Sequence, residues 1–89
     1  MSLIYDQLPP DAALHAQQLS RLIYETRENR RKVLDASGAT DEDQLLHRIV
    51  HAELAEHPGY ELYLAARILG DTHQAARTAI AALMQEANR

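Results

Sequence analysis

Between Asp11 and Ala36 the apolar positions fall at Ala12, Ala16, Leu19 and Ile23, and the same alternation of four and three continues through Thr26, Arg30 and Val33. Steps of four and three are a heptad seam, so the spacing predicts one helix over residues 11–36, about 39 Å long at 1.5 Å per residue. Leu22 and Leu34 flank the seam. Its polar members, Thr26 and Arg30, are expected either to fix register or to mark where the helix outruns its partner. Pro9-Pro10 sits where a first turn loses no hydrogen bond to proline, and Ser37-Gly38 supplies a left-handed C-cap. Residues 1–10, with Leu3-Ile4-Tyr5 and Leu8, read as an extended lead.

A second helix is expected over residues 41–57, with Thr40 as N-cap and Asp41, Glu42 and Asp43 in the positive end of the macrodipole. Leu45, Leu46, Ile49, Val50, Ala52 and Leu54 would face inward. The short link from Ala36 to Thr40 sets this helix antiparallel to the first. Glu53 falls inside the inward arc, where an unpaired carboxylate is costly. In an antiparallel hairpin it comes level with Arg27, so a buried Glu53–Arg27 pair is expected, with Arg30 also in reach. His57 closes the helix ahead of Pro58.

Pro58-Gly59 and Gly70-Asp71 then bracket a short third helix, residues 60–69. At 100° per residue its apolar side chains occupy two sides, with Leu62, Ala66 and Leu69 on one and Tyr60, Leu64 and Ile68 on the other. A helix apolar on both sides has to be covered on both, by the rest of the chain or by a second copy. Tyr60, Tyr63, Leu64 and Ile68 are therefore the candidate interface residues. An Ala-rich amphipathic helix over 72–88 ends the chain, with Asp71 as its N-cap. The fold class expected is all-α: a single small domain of four helices, the long first one in a hairpin with the second, the short third one buried.

Composition sharpens the expectation of a dimer. The chain has 89 residues, no Trp and no Phe, and its four aromatic residues are all Tyr. Much of the apolar fraction is Ala, which buries little area, and a second copy would make up the shortfall. With no Cys there is no disulfide framework, thiol nucleophile or Cys-held metal, and no apolar run reaches the roughly 18 to 20 residues that span a bilayer. The N-terminus lacks the order of a signal peptide, so a reducing cytoplasm is the expected setting. Net charge is −4, unfavourable for a general nucleic-acid binder, and residues 38–89 carry eight acids against four bases.

Three constellations bear on function. His47 and His51 lie one turn apart, a two-histidine metal spacing, with Glu53, Glu56 and His57 nearby. The histidines project roughly 140° from Glu53, so the five do not converge and no metal or other cofactor is expected. The run Ala65-Ala66-Arg67-Ile68-Leu69-Gly70 followed by Asp71-Thr72-His73-Gln74-Ala75-Ala76 resembles, in its Ala-Ala-x-x-Leu-Gly portion, the first half of many bacterial helix-turn-helix motifs. That resemblance implies a DNA-binding regulator whose second helix, with His73, Gln74 and Arg77, reads the major groove. Asp71 stands where those motifs usually place an apolar turn residue, and residues 60–89 balance three acids with three bases. The basic run Arg27, Arg30, Arg31 and Lys32, interleaved with Glu25 and Glu28, suits a solvated helix face or an acidic partner. No Ser sits in a recognisable triad and no Gly-rich phosphate loop is present, so an enzyme is not expected. The reading is a non-enzymatic helical interaction module, self-associating, of the kind that serves as a small bacterial adaptor or chaperone. The alternatives are a helix-turn-helix regulator and a His/Glu metal-binding bundle.

Overall fold

Proline opens the first helix and glycine closes it, as their backbone preferences require. In a computed structural model of the chain, which describes residues 8–88, α1 runs Pro10–Ser37 with Pro10 in its first turn. At its end Gly38 takes φ 71°. Gly38 N–H donates to Asp35 O and Ala39 N–H to Leu34 O, both at 3.1 Å, which is a Schellman motif with Ala39 folded back against Leu34 in the core. The lead through Leu3-Ile4-Tyr5 lies outside the described residues.

The second helix, α2, spans Glu42–Val50 and is shorter than expected. Its N-cap is Asp41 rather than Thr40: Asp41 Oδ1 accepts the N–H of Gln44 at 2.7 Å, while Gln44 Oε1 accepts that of Thr40 at 2.7 Å. It stops seven residues early because the chain turns at Ala52, which has φ 56°. Ala52 N–H donates to Ile49 O and Glu53 N–H to Arg48 O, so this is a second Schellman motif, built on alanine instead of glycine. An L-residue in the left-handed region costs about 1 to 2 kcal/mol, which glycine avoids at some entropic penalty. Ala52→Gly is therefore expected to stabilise by about 0.5 to 1 kcal/mol, a rise of roughly 2 to 8 °C in Tm by thermal circular dichroism. An unchanged or lower Tm would contradict this account of the turn.

The third helix, α3, spans Glu56–Ala87, with non-helical angles at His57 and a cis His57–Pro58 peptide. It passes through Gly70-Asp71 without interruption, so the two expected C-terminal helices are one. The reason is a seam that ignores the glycine: Leu62, Ala66, Leu69, His73, Ala76, Ile80 and Leu83 are all buried or half-buried and continue the steps of four and three. A mid-helix glycine costs about 1 kcal/mol relative to alanine, and here it makes room. A Cβ on Gly70 would stand 3.2 Å from a Glu42 carboxylate oxygen and 3.6 Å from Arg30 Nε. Gly59 is buried for a similar reason, since its Cβ would meet Leu54 and Ile49 at 3.2 to 3.3 Å.

The fold is thus all-α, with three helices among the described residues where four were expected, and the partner of α1 is α3, not α2. At 1.5 Å per residue α1 is about 42 Å long and α3 about 48 Å, whereas α2 is about 13 Å and covers only one end. The pairing is antiparallel. Val33 and Leu34 pack with Leu62, Tyr63 and Ala66 at one end, and Leu8 and Ala12 line a recess with Leu83 and Ala87 at the other. All seven heptad positions expected on α1 are buried or half-buried. Thr26 is accommodated without a cross-helix partner: its hydroxyl donates to Leu22 O at 2.7 Å, leaving the methyl to pack. α2 folds across the Leu34 and Leu62 end and plugs it with Leu45. The molecule measures 52 × 20 × 16 Å with a radius of gyration of 17.1 Å, against about 12 Å for a compact chain of this length. Over most of the length of the described residues it is a ladder of two helices.

Candidate functional site

The two-sided pattern of residues 60–69 is resolved asymmetrically. Leu62, Ala66 and Leu69 turn toward α1, while Tyr60, Leu64 and Ile68 remain 49%, 42% and 64% exposed. The segment is therefore not buried all round within one chain. These three side chains step by only about 40° per turn and form a row on the side of α3 turned away from α1. The large apolar residues exposed on α1, Leu14, Leu22 and Tyr24, are at least about 80° apart and make no row, which is ordinary surface. Of the four candidate interface residues, Tyr63 differs from the others. Its ring packs against the core and its hydroxyl accepts from Arg67 Nη1 at 2.9 Å. The Arg67 guanidinium lies 5.8 Å from that ring, and the Tyr60 ring stacks at 6.0 Å. Below Tyr60 the row opens into a groove lined by Leu46, Ile49, Glu56, His57 and Glu61. His57 Nδ1 and Glu61 Oε2, 3.0 Å apart, form an exposed pair on its rim.

On another side the three helices meet in a charged cleft of about 480 Å³, lined by Arg27, Arg30 and Arg67 with Asp41, Glu42, Asp43 and Asp71. Its centre is a two-pronged ion pair, Arg30 Nε and Nη2 each donating to a Glu42 oxygen at 2.6 Å. This replaces the expected Glu53–Arg27 pair. With α2 ending at Val50, Glu53 is exposed in the following turn, and the carboxylate nearest Arg27 is Glu28 at 3.8 Å. Three arginines against four carboxylates leave the cleft close to neutral, a poor match to a polyanion.

The hydrogen bonds from Arg30 hold the Glu42 carboxyl below its ordinary value of 4.5, against an opposing push from partial burial, and the same bonds raise Arg30. A carboxyl depressed in the folded state adds stability above its unfolded value, and that contribution disappears as pH falls through the depressed one. With Arg30 34% and Glu42 16% exposed, the pair contributes about 1 to 2 kcal/mol. Urea titrations should show the native chain losing stability below pH 4.5 more steeply than Glu42→Gln, which has no such carboxyl to protonate. Parallel curves would place the acid sensitivity elsewhere.

The remaining candidates do not assemble. His47 and His51 stack with centroids 3.9 Å apart, and His51 Nδ1 donates to the His47 carbonyl. Among the described residues no three His, Cys, Asp or Glu side chains are placed to hold a metal ion. The Gly70-Asp71 turn required by a helix-turn-helix is the middle of α3, and His73 lies half-buried in the seam. Among the described residues no helix is long and apolar enough to cross a membrane. Comparison with protein-family models, with curated proteins and with solved structures finds no match to this chain.

Proposed function

We propose that the chain is a non-enzymatic helical interaction module, at home in the cytoplasm, that pairs with a second copy of itself through the bare face of α3. One observation carries the reading: Tyr60, Leu64 and Ile68 form a continuous apolar row on the side of α3 opposite its seam with α1. A soluble helix needs one apolar face, and the second is what a partner would cover. Shape supports the same reading. A two-helix ladder has a single seam, whereas stable helical domains usually enclose a core between two layers, as a pair of hairpins would. The groove of Leu46, Ile49 and Tyr60 continues the face toward α2 and belongs to the same surface.

Sedimentation equilibrium of the full chain at micromolar concentration tests the proposal. A dimer in reversible exchange with monomer is the expected result, and monomer alone up to 100 micromolar would end it.

A further inference from the structure

The bare face of α3 is graded along its length, and resting on the self-association proposed above, we infer that two copies pair through antiparallel α3 helices, with the two-fold axis passing beside Asp71. The half of the face nearer α2 carries the large residues Tyr60, Leu64 and Ile68, and the other half carries Ala75, Ala79 and Ala82, all exposed. The separation of two packed helices is set by the side chains between them, about 8 to 10 Å. Parallel pairing would set large on large at one end and alanine on alanine at the other, which forces the helices apart into a wedge. Antiparallel pairing about Asp71 places Tyr60 over the second copy's Ala82, and brings Leu64 and Ile68 within one residue of its Ala79 and Ala75. Every layer then holds one large and one small side chain, and the spacing stays even.

Area separates this register from the rival centred on Leu64. Centred on Asp71, the straight part of α3 from Pro58 overlaps its copy over about 40 Å, and with the 16 Å thickness of the molecule that covers at most about 640 Å² per copy, inside the range of specific interfaces, which begins near about 600 Å² per partner. Centred on Leu64 the overlap shrinks to about 20 Å and at most about 310 Å² per copy, less than a stable interface needs.

Charge agrees. Asp71 and Arg67, one turn apart, stand at the edge where the bare face meets the charged cleft; among the described residues Asp71 makes no hydrogen bond or salt bridge, while Arg67 bonds the Tyr63 hydroxyl and is influenced electrostatically by Asp71 and Glu42. Around the axis two Asp71 and two Arg67 would alternate, each carboxylate between its own chain's guanidinium and the other copy's. Two aspartates at a two-fold axis repel without those arginines, so the arrangement also selects against registers that separate them.

The chain contains no cysteine, so single cysteines report the geometry directly. Asp71→Cys should form a disulfide dimer under mild oxidation, and Leu64→Cys should not, because its two copies would lie about 21 Å apart along the helices, beyond the roughly 4.4 to 6.8 Å between Cα atoms that a disulfide spans. Leu64→Cys mixed with Ala79→Cys should cross-link as a mixed pair, which guards against Asp71→Cys weakening the contact. Cross-linking of Leu64→Cys alone would establish the Leu64-centred register, and of both single variants the parallel one, and either overturns the inference while leaving self-association intact. If the native chain dimerises and no variant cross-links, the inference is likewise overturned. A native chain that sediments only as monomer removes the underlying proposal as well.

Discussion

Leu45→Ala is expected to lower the free energy of unfolding by about 3 to 4 kcal/mol, out of the roughly 4 to 13 kcal/mol typical of this length. Leu45 is the one large side chain among the described residues with 0% exposure. It plugs the end of the hairpin, where it joins the buried cluster of Leu34, Ala39 and Ala66. Two of its three buried neighbours are already alanine, so little remains that could move in to fill the space. The cost should approach the upper part of the range for leucine truncation, because the cavity term is retained. Val50→Ala, one turn and a residue further along α2 at 70% exposure, is the control and should change stability by under about 0.5 kcal/mol. Urea denaturation measures both. A loss below about 1 kcal/mol for Leu45→Ala, with an unchanged slope, would mean that α2 is not the plug described above.

Leu64→Asp is expected to weaken self-association by at least about 100-fold while leaving the far-ultraviolet circular dichroism of the chain unchanged. Leu64 is the middle of the exposed row, and any two-fold interface presents it twice, so one substitution removes two buried leucines and adds two carboxylates to an apolar contact. Losing roughly 1.5 to 3 kcal/mol at each of two sites already exceeds a hundredfold in equilibrium constant. Within one chain the same residue is 42% exposed, so the monomer should tolerate the change. Sedimentation reads the association and circular dichroism the fold. A variant that dimerises as well as the native chain would move the contact off α3, and one that loses its helicity would show that Leu64 serves the hairpin instead.

What could be read from the residues divides along a physical line. The α1 seam was legible to the residue, because a period of seven repeated over 22 residues leaves little freedom, and Pro10 and Gly38 mark its ends through backbone geometry alone. The end of α2 was not legible. Its turn uses alanine at a positive φ, and nothing in Val50-His51-Ala52-Glu53 carries the glycine or proline that signals a stop. The Glu53–Arg27 pair failed with it, since it depended on α2 running on to His57. Gly70-Asp71 misled in the opposite direction. A glycine followed by a capping residue satisfies every local rule for a break, yet the 4-3 spacing from Leu62 to Leu83 was present throughout and would have shown one helix. Long-range pairing overrode local preference, as it does wherever a seam of this length is available. The bare row on α3 was legible as an excess of apolar directions, although nothing in the sequence says which of the two sides the chain itself would cover.

Because α2 thickens only one end, amide protons there should exchange with solvent only through global opening, while those near Ala12 and Leu83, held by a two-helix contact rich in alanine, should exchange through a smaller unzipping from the far tip. The hairpin is clasped at one end and free to breathe at the other.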